Sequence, residues 1–361
     1  MPPLSRRALL LSLASGSGAS LWPLHAQALP ARALVFPRDH GAHPQMRTEW
    51  WYITGHARAP GPTGERLFGF QVTFFRTRVD TAQSIDSAFA ARQLVFAHAA
   101  VTDVQGQRLW HDQRIARAGM GIAQADTEDT RLKLRDWSLV REANGNYRAR
   151  LPAGDFSLDL HFTPTQPLLL QGRQGLSRKG PQPQQASYYY SQPQLQASGR
   201  LTLQGQSFEV TGRAWLDHEW SEELLHPDAV GWDWIGMNLD DGSALTAFRL
   251  RRADGSALWD GGSWRAAGGE VQAFEAGRTV FTPVCYWVSP LSGARYPVQW
   301  EVMCPAGRYT VRALIDAQEL DSRTSTGAIY WEGLSELTDI RGQVIGRGYL
   351  EMTGYAQRLR M

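Results

Sequence analysis

The chain has 361 residues, with 37 lysines and arginines against 35 aspartates and glutamates, a formal net charge of +2. Its basic residues are scattered without a run, which argues against a nucleic-acid partner. Beyond the N-terminus no stretch holds the ~18 uninterrupted apolar residues of a membrane-crossing helix.

The chain opens Ser5-Arg6-Arg7-Ala8-Leu9-Leu10-Leu11, continues through small, weakly apolar residues and reaches Ala26-Gln27-Ala28, the small-x-small pattern after which signal peptidase cuts. Residues 1–28 are therefore expected to be a signal peptide, which makes the mature protein periplasmic or secreted. The paired arginines resemble a twin-arginine signal, although an ordinary Sec signal with two arginines looks much alike. No cysteine follows the apolar region to carry a lipid. The roughly 330 residues that remain exceed one small core, so two domains are expected.

The 14 tryptophans and 35 glycines are the unusual part of the composition, and they sit in short strand-like runs separated by turns. Glu49-Trp50-Trp51-Tyr52-Ile53-Thr54-Gly55-His56 carries the aromatic and β-branched residues of a strand, and Leu67 to Arg76 returns after the turn at Pro60 to Gly64, so the pair reads as a hairpin. Gln93 to Val101 and Arg108 to Trp110 follow, then Leu132 to Leu139, Tyr147 to Leu151 and Phe156 to Phe162. None has helical period. From Leu168 to Pro193 the composition shifts to Gln, Gly, Pro and Ser, which reads as a surface connection and suggests domains at 29–195 and 196–361. Trp232 to Leu239, a turn at Asp240-Asp241-Gly242, and Ala244 to Arg249 then echo the plan of Trp50 to Arg76. Many antiparallel strands with few helical segments predict an all-β chain of two barrels, each able to hold an apolar ligand inside. Cys285 and Cys304 are the only cysteines, too few for a zinc cluster, and both lie in strand-like runs that a hairpin would set side by side. One disulfide is expected, with two buried thiols as the alternative.

The densest polar and aromatic cluster is Ala214-Trp215-Leu216-Asp217-His218-Glu219-Trp220-Ser221-Glu222-Glu223. In an extended strand Asp217 and Glu219 share one face and His218 and Trp220 the other. A carboxyl in an apolar, aromatic cavity is hard to ionise and serves as a general acid, so Asp217 is the candidate donor to an alkene or a leaving group. The alternative is a structural network in which Asp217 and His218 satisfy turn amides and each other. His56, His98, Glu49 and Asp39 do not have metal-ligand spacing, so no metal is expected. No Gly-x-Ser-x-Gly elbow occurs, which leaves a serine hydrolase without support. Tyr188-Tyr189-Tyr190 and Trp232-Asp233-Trp234 are packing residues, or the wall of a pocket for a long unsaturated ligand.

In order along the chain, Glu49-Trp50-Trp51-Tyr52, Ser187-Tyr188-Tyr189-Tyr190-Ser191, Trp215-Leu216-Asp217-His218-Glu219-Trp220, Gly231-Trp232-Asp233-Trp234, Tyr330-Trp331-Glu332-Gly333 and Gly348 to Tyr355 resemble the lipocalin-like family that groups carotenoid 1,2-hydratases with secreted attachment-locus proteins. The resemblance implies two lipocalin-like barrels packed together, an apolar cavity, and in the hydratases a cofactor-free addition of water to a terminal isoprenoid double bond. Asp217 matches the acid that protonates the alkene. Tyr188 and Tyr190 fall where the hydratase pattern has His and Trp, and Trp215 where it has Tyr, so the chain resembles the secreted branch, which His218, Glu219, Trp220 and Asp233 also match. The expected function is a lipid- or isoprenoid-binding protein with hydration or hydrolysis at Asp217, His218 and Glu219. Its ligand wall is expected from Tyr188, Tyr190, Trp215, Trp220, Trp232, Asp233, Trp50 and Trp51. The alternative is a non-catalytic carrier that hands a lipid or lipoprotein to an ABC-type export complex of the envelope.

Overall fold

The computed structural model describes residues 28–61, 64–223 and 225–359, so the expected signal peptide lies, apart from Ala28, outside the described residues. The first sheet comprises β1 (Thr48–Gly61), β2 (Gly64–Arg78), β3 (Gln93–Asp103), β4 (Arg108–Arg117), β5 (Ala123–Ala125), β6 (Arg131–Leu134), β7 (Trp137–Arg141), β8 (Tyr147–Pro152), β9 (Phe156–Thr163), β10 (Leu169–Leu170), β11 (Leu176–Arg178), β12 (Ala186–Leu203) and β13 (Gln206–Glu223). The second comprises β14 (Gly231–Leu239), β15 (Ala244–Arg251), β16 (Ala257–Arg265), β17 (Val271–Phe274), β18 (Val280–Val288), β19 (Arg295–Cys304), β20 (Gly307–Ala313), β21 (Glu319–Ser322), β22 (Ala328–Thr338) and β23 (Val344–Met352). Among the described residues helix is confined to two short 3₁₀ turns, Arg38–His40 and Asp80–Ala82. Among the described residues no helix is long and apolar enough to cross a membrane.

The chain is all-β, two packed antiparallel barrel-like domains, as expected. In each sheet the first strand lies between the second and the last: β1 pairs β2 and β13, and β14 pairs β15 and β23. The echo between the halves is visible in the registers, where Glu49 stands opposite Arg76 and Asp233 opposite Arg249. The passage between sheets falls at 224–230. A boundary at 195/196 is therefore corrected: it cuts through β12, whose pairing with β9 and β13 keeps it in the first sheet.

Burial along the strands shows where the two barrels meet. β8 and β9 alternate buried and open positions, as strands with one solvent face do. In β13 the alternation stops at Ala214 and everything through Ser221 is buried, and in β12 Ala186 through Leu195 is buried without a break. There the second sheet covers the outer face of the first. Trp51, Phe70, Phe74, Trp137 and Leu216 fill the first barrel, and Ile235, Met237, Trp300, Trp331 and Leu350 fill the second. A third cluster, including Tyr52, Trp215, Trp234, Phe248, Leu334 and Tyr349, is the seam between them. Gly69 permits this approach, since a Cβ there would sit 2.7 Å from the Tyr349 hydroxyl and 2.9 Å from Leu334. Polar bonds clamp the seam as well: the Gln194 amide donates to Asn238 Oδ1 at 2.8 Å, and Asn238 Nδ2 donates to the Ala214 carbonyl at 2.9 Å.

The expected disulfide is not formed. The β18–β19 register sets Cys285 opposite Gln299, while Cys304 pairs with Gly307 on β20, and both thiols are free. Cys285 is exposed and Cys304 buried, so a thiol reagent is expected to label one cysteine in the native protein without reductant and the second only after unfolding. A native protein with no reactive thiol would restore the disulfide.

Candidate functional site

Backbone alternation assigns each side chain of the central strands to the seam or to a barrel interior. On β13, Asp217 and Glu219 face the seam, while His218 and Trp220 point into the first barrel. Their β1 neighbours follow: Tyr52 stands opposite Asp217 and Trp50 opposite Glu219, whereas Trp51 stands opposite His218. On β12, Tyr189 and Ser191 reach the seam and Tyr188 and Tyr190 turn inward. The expected cavity inside a barrel is thus replaced by one between barrels, because both interiors are packed with side chains.

This seam encloses a cavity of about 390 Å³, the size of a small-molecule site. Trp50, Tyr52, Phe75, Phe96 and Tyr189 line it from the first barrel, and Trp232, Trp234, Phe248, Leu250 and Tyr330 from the second. Five acidic residues, Glu49, Asp217, Glu219, Glu332 and Glu351, are among those lining this largely aromatic wall.

Asp217 is 3% exposed. Trp215 Nε1 donates to its Oδ1 at 2.7 Å, the Tyr189 hydroxyl donates to Oδ2 at 2.9 Å, and the Ser191 hydroxyl donates to Oδ1. Trp234 Nε1 donates to the Tyr189 hydroxyl at 3.3 Å, so one hydrogen-bond chain crosses the seam. These donors are neutral, and no cation among the described residues pairs with the carboxyl. Burial pushes its pKa from 3.8 up to about 7, more than the three hydrogen bonds pull it down. Glu219 differs because Lys179 Nζ lies 3.0 Å away and the Ser187 hydroxyl donates to it. That ammonium also rests over the rings of Tyr189 and Phe248, at 4.7 and 4.3 Å from their centroids. Glu219 is therefore paired with a cation, and Asp217 is not.

Glu332 and Glu351 face each other directly across β22 and β23. Gln71 Nε2 donates to Glu332 Oε2 at 2.7 Å and reaches the Tyr330 hydroxyl at 3.2 Å, which His98 Nδ1 meets at 2.8 Å. Glu332 Oε1 and the Tyr52 hydroxyl are buried without a hydrogen-bond partner among the described residues. Burial raises the pKa of Glu332, and the charge of Glu351 raises it further, while the Tyr52 hydroxyl, near it but outside hydrogen-bond geometry, pulls the other way. Glu351 is raised by burial as well, then held back by Trp232 and pushed again by Asp217 and Glu219.

Inside the first barrel a second polar cluster surrounds Glu49. Its Oε1 meets His43 Nδ1 at 2.7 Å and His218 Nε2 at 2.9 Å, and its Oε2 accepts from Arg76 Nε and the His43 amide, both at 2.8 Å. Burial works against this carboxylate, but hydrogen bonds from His218 and His43 hold its pKa below the usual range. His218 is driven the other way, to about 4, chiefly by burial. The Tyr190 hydroxyl joins His218 Nδ1 at 3.2 Å to His40 Nδ1 at 2.8 Å. His43, Glu49 and His218 bring metal-ligating atoms within 4.8 Å of one another. The histidine nitrogens already lie at hydrogen-bond distance from a carboxylate that also holds the fixed charge of Arg76, so the arrangement is that of a filled structural network.

Asp217, Glu219, Trp50 and Trp232 therefore line the cavity as sequence reasoning expects, and Trp215 holds Asp217 from the seam core. His218, Trp220, Trp51, Tyr188 and Tyr190 do not; their strand positions turn them into the first barrel. Asp233 likewise lies inside the second barrel, where Arg249 Nε donates to it at 2.7 Å and the Tyr355 hydroxyl at 2.8 Å. Tyr52, Tyr189, Lys179, Glu332 and Glu351 were not singled out as site residues, although all but Lys179 belong to the aromatic motifs noted in the sequence.

Fold and site together define an all-β protein of two packed barrel-like domains with an acidic, aromatic cavity at the seam. The chain belongs to the AttH-like family, whose pattern it matches over residues 27–355. A structure from Nitrosomonas europaea described as AttH is 49% identical and superposes with a TM-score of 0.84, covering 91% of this chain and 99% of that one. Kievitone hydratase from Nectria haematococca shares the fold at 13% identity with a TM-score of 0.66, covering 86% of this chain and 90% of that one. CghA with Sch210972 does so at 13% identity and a TM-score of 0.51, covering 86% and 89%. These last two likenesses concern fold alone. No curated protein matches the chain.

Proposed function

We infer that this protein binds a largely apolar, unsaturated molecule of lipid or isoprenoid type at the seam and adds water to it by acid catalysis, working in the periplasm or outside the cell. The observation that carries this reading is Asp217: a carboxyl buried in an aromatic cavity, paired with no cation, held by neutral donors, and still protonated to about pH 7. Asp217 gives its proton to one alkene carbon, the oxygen of water bonds to the cation left on the other, and the surplus proton of that water is released. Cation formation is favoured in a wall that holds Trp50, Trp232 and Trp234. That one structural relative is named a hydratase supports the reaction class.

The test is incubation of the mature protein with farnesol, an isoprenoid alkene, followed by native mass spectrometry and analysis of the extracted product. Formation of an alcohol heavier by one water supports the reading. Farnesol held unchanged would favour a non-catalytic carrier, and neither binding nor conversion would remove the reading. The acid must be protonated to act, so conversion is expected to fall about tenfold per unit above about pH 7. Conversion that rises with pH through this window would exclude Asp217 as the donor.

A further inference from the structure

Water added to a cation must lose a proton, and Asp217 has only just given one away. The seam offers one other place built to receive it. Glu332 and Glu351 lie in direct register on neighbouring strands, two carboxyls in an apolar wall without a cation between them. Like charges so placed repel strongly, so the pair is stable with one proton shared between its members. One carboxylate charge remains, held by either member as the shared proton moves, and the hydrogen bonds fix which oxygen is open to receive a second proton. Gln71 donates to Glu332 Oε2, and Gln71 is itself steadied by Tyr330 and, through it, by His98. Glu332 Oε1 is left without a partner among the described residues, although the residue is only 2% exposed. The Tyr52 hydroxyl, 6% exposed and on the same cavity wall, is unpartnered too. Tyr52 also stands opposite Asp217 in the β1–β13 register, and Tyr52, Asp217 and Glu332 line the same cavity. A buried water needs two or more polar partners to be held, and these two provide them.

We propose that Tyr52 positions the water that adds to the substrate and that Glu332, sharing its proton with Glu351, is the base that receives the proton from it. This rests on the hydration reading above and completes it. In one turnover the Asp217 O–H bond breaks and a C–H bond forms. The water oxygen then bonds to the cationic carbon as its O–H proton passes to Glu332 Oε1. Return of that proton to Asp217 through solvent resets the site, so alkene and water yield alcohol with nothing left over.

The two halves of the reaction separate in deuterium oxide. A site that protonates but cannot complete hydration lets the cation lose a proton again, which leaves deuterium in recovered alkene without forming alcohol. With farnesol as probe and the full mature chain, E332Q is expected to form alcohol at least about 100-fold more slowly than wild type, while deuterium incorporation into recovered farnesol stays within about threefold. Y52F, a smaller change, is expected to lower alcohol formation about tenfold with incorporation retained. Either E332Q or Y52F hydrating at the wild-type rate would overturn that residue's assigned role. Loss of incorporation together with hydration in an E332Q protein that still melts and binds farnesol as wild type does would overturn the assignment of Glu332 as base alone. Wild type that neither hydrates nor exchanges deuterium would instead sink the hydration reading, and this proposal with it.

Discussion

Asp217→Asn is expected to slow the conversion of farnesol by about 10²- to 10⁴-fold, the usual worth of a positioned general acid, while leaving farnesol bound. Asparagine keeps the shape of the side chain and the acceptor oxygen that Trp215 and Ser191 address, so the wall and its aromatic lining persist. What disappears is the proton. The substitution carries a second signature in stability. Asp217 has a folded pKa near 7 against an ordinary 3.8, so below the ordinary value it is neutral folded or unfolded and burial costs nothing extra. Between these values the folded protein binds the additional proton, and wild-type stability declines as pH rises toward 7. The variant escapes that decline, and its melting temperature relative to wild type is expected to climb over the same window. A variant that converts farnesol at the wild-type rate would remove Asp217 from the mechanism; a melting difference that does not depend on pH would show that its carboxyl is not the strained group.

Glu49→Ala is expected to have the largest effect on stability, about 3–5 kcal/mol, because it strands a guanidinium inside the first barrel. Arg76 is 2% exposed, and losing the carboxylate removes its only carboxylate partner among the described residues as well as the shared acceptor of His43 and His218. For a chain of this size the loss corresponds to a fall of about 5 °C in melting temperature. Glu49 is held below its ordinary 4.5, so its contribution is present above that pH and is lost as pH falls below it. The difference between wild type and variant should therefore shrink in acid. Melting within about 2 °C of wild type at neutral pH would mean that Arg76 finds another partner.

Much of this site was legible in the sequence, and the limits have physical causes. A period of two separates Asp217 and Glu219 from His218 and Trp220 in any extended strand, and the structure keeps that division. The same period groups Tyr188 with Tyr190 and opposes Tyr189, but cannot say which side faces the ligand. Both faces of β12 are buried there, and a register shift between Ala186 and Tyr188 resets the count. The pairing of Glu332 with Glu351 depends on how β22 meets β23, which no local pattern encodes. Two irregularities around Cys285 likewise displace the register on which the disulfide expectation relied. His43 enters the Glu49 cluster from the loop before β1, where no periodicity exists to place it.

That the cavity lies on the outer faces of two filled barrels separates the demands of folding from those of chemistry. A substitution at Phe75, Trp232 or Phe248 reshapes the ligand's surroundings without opening a void in either interior. Wall residues can therefore change one at a time, on either half, while the packing inside each barrel stays as it is. Two such walls that vary independently multiply the shapes available, which makes this architecture evolvable without loss of the scaffold that holds the acid in place.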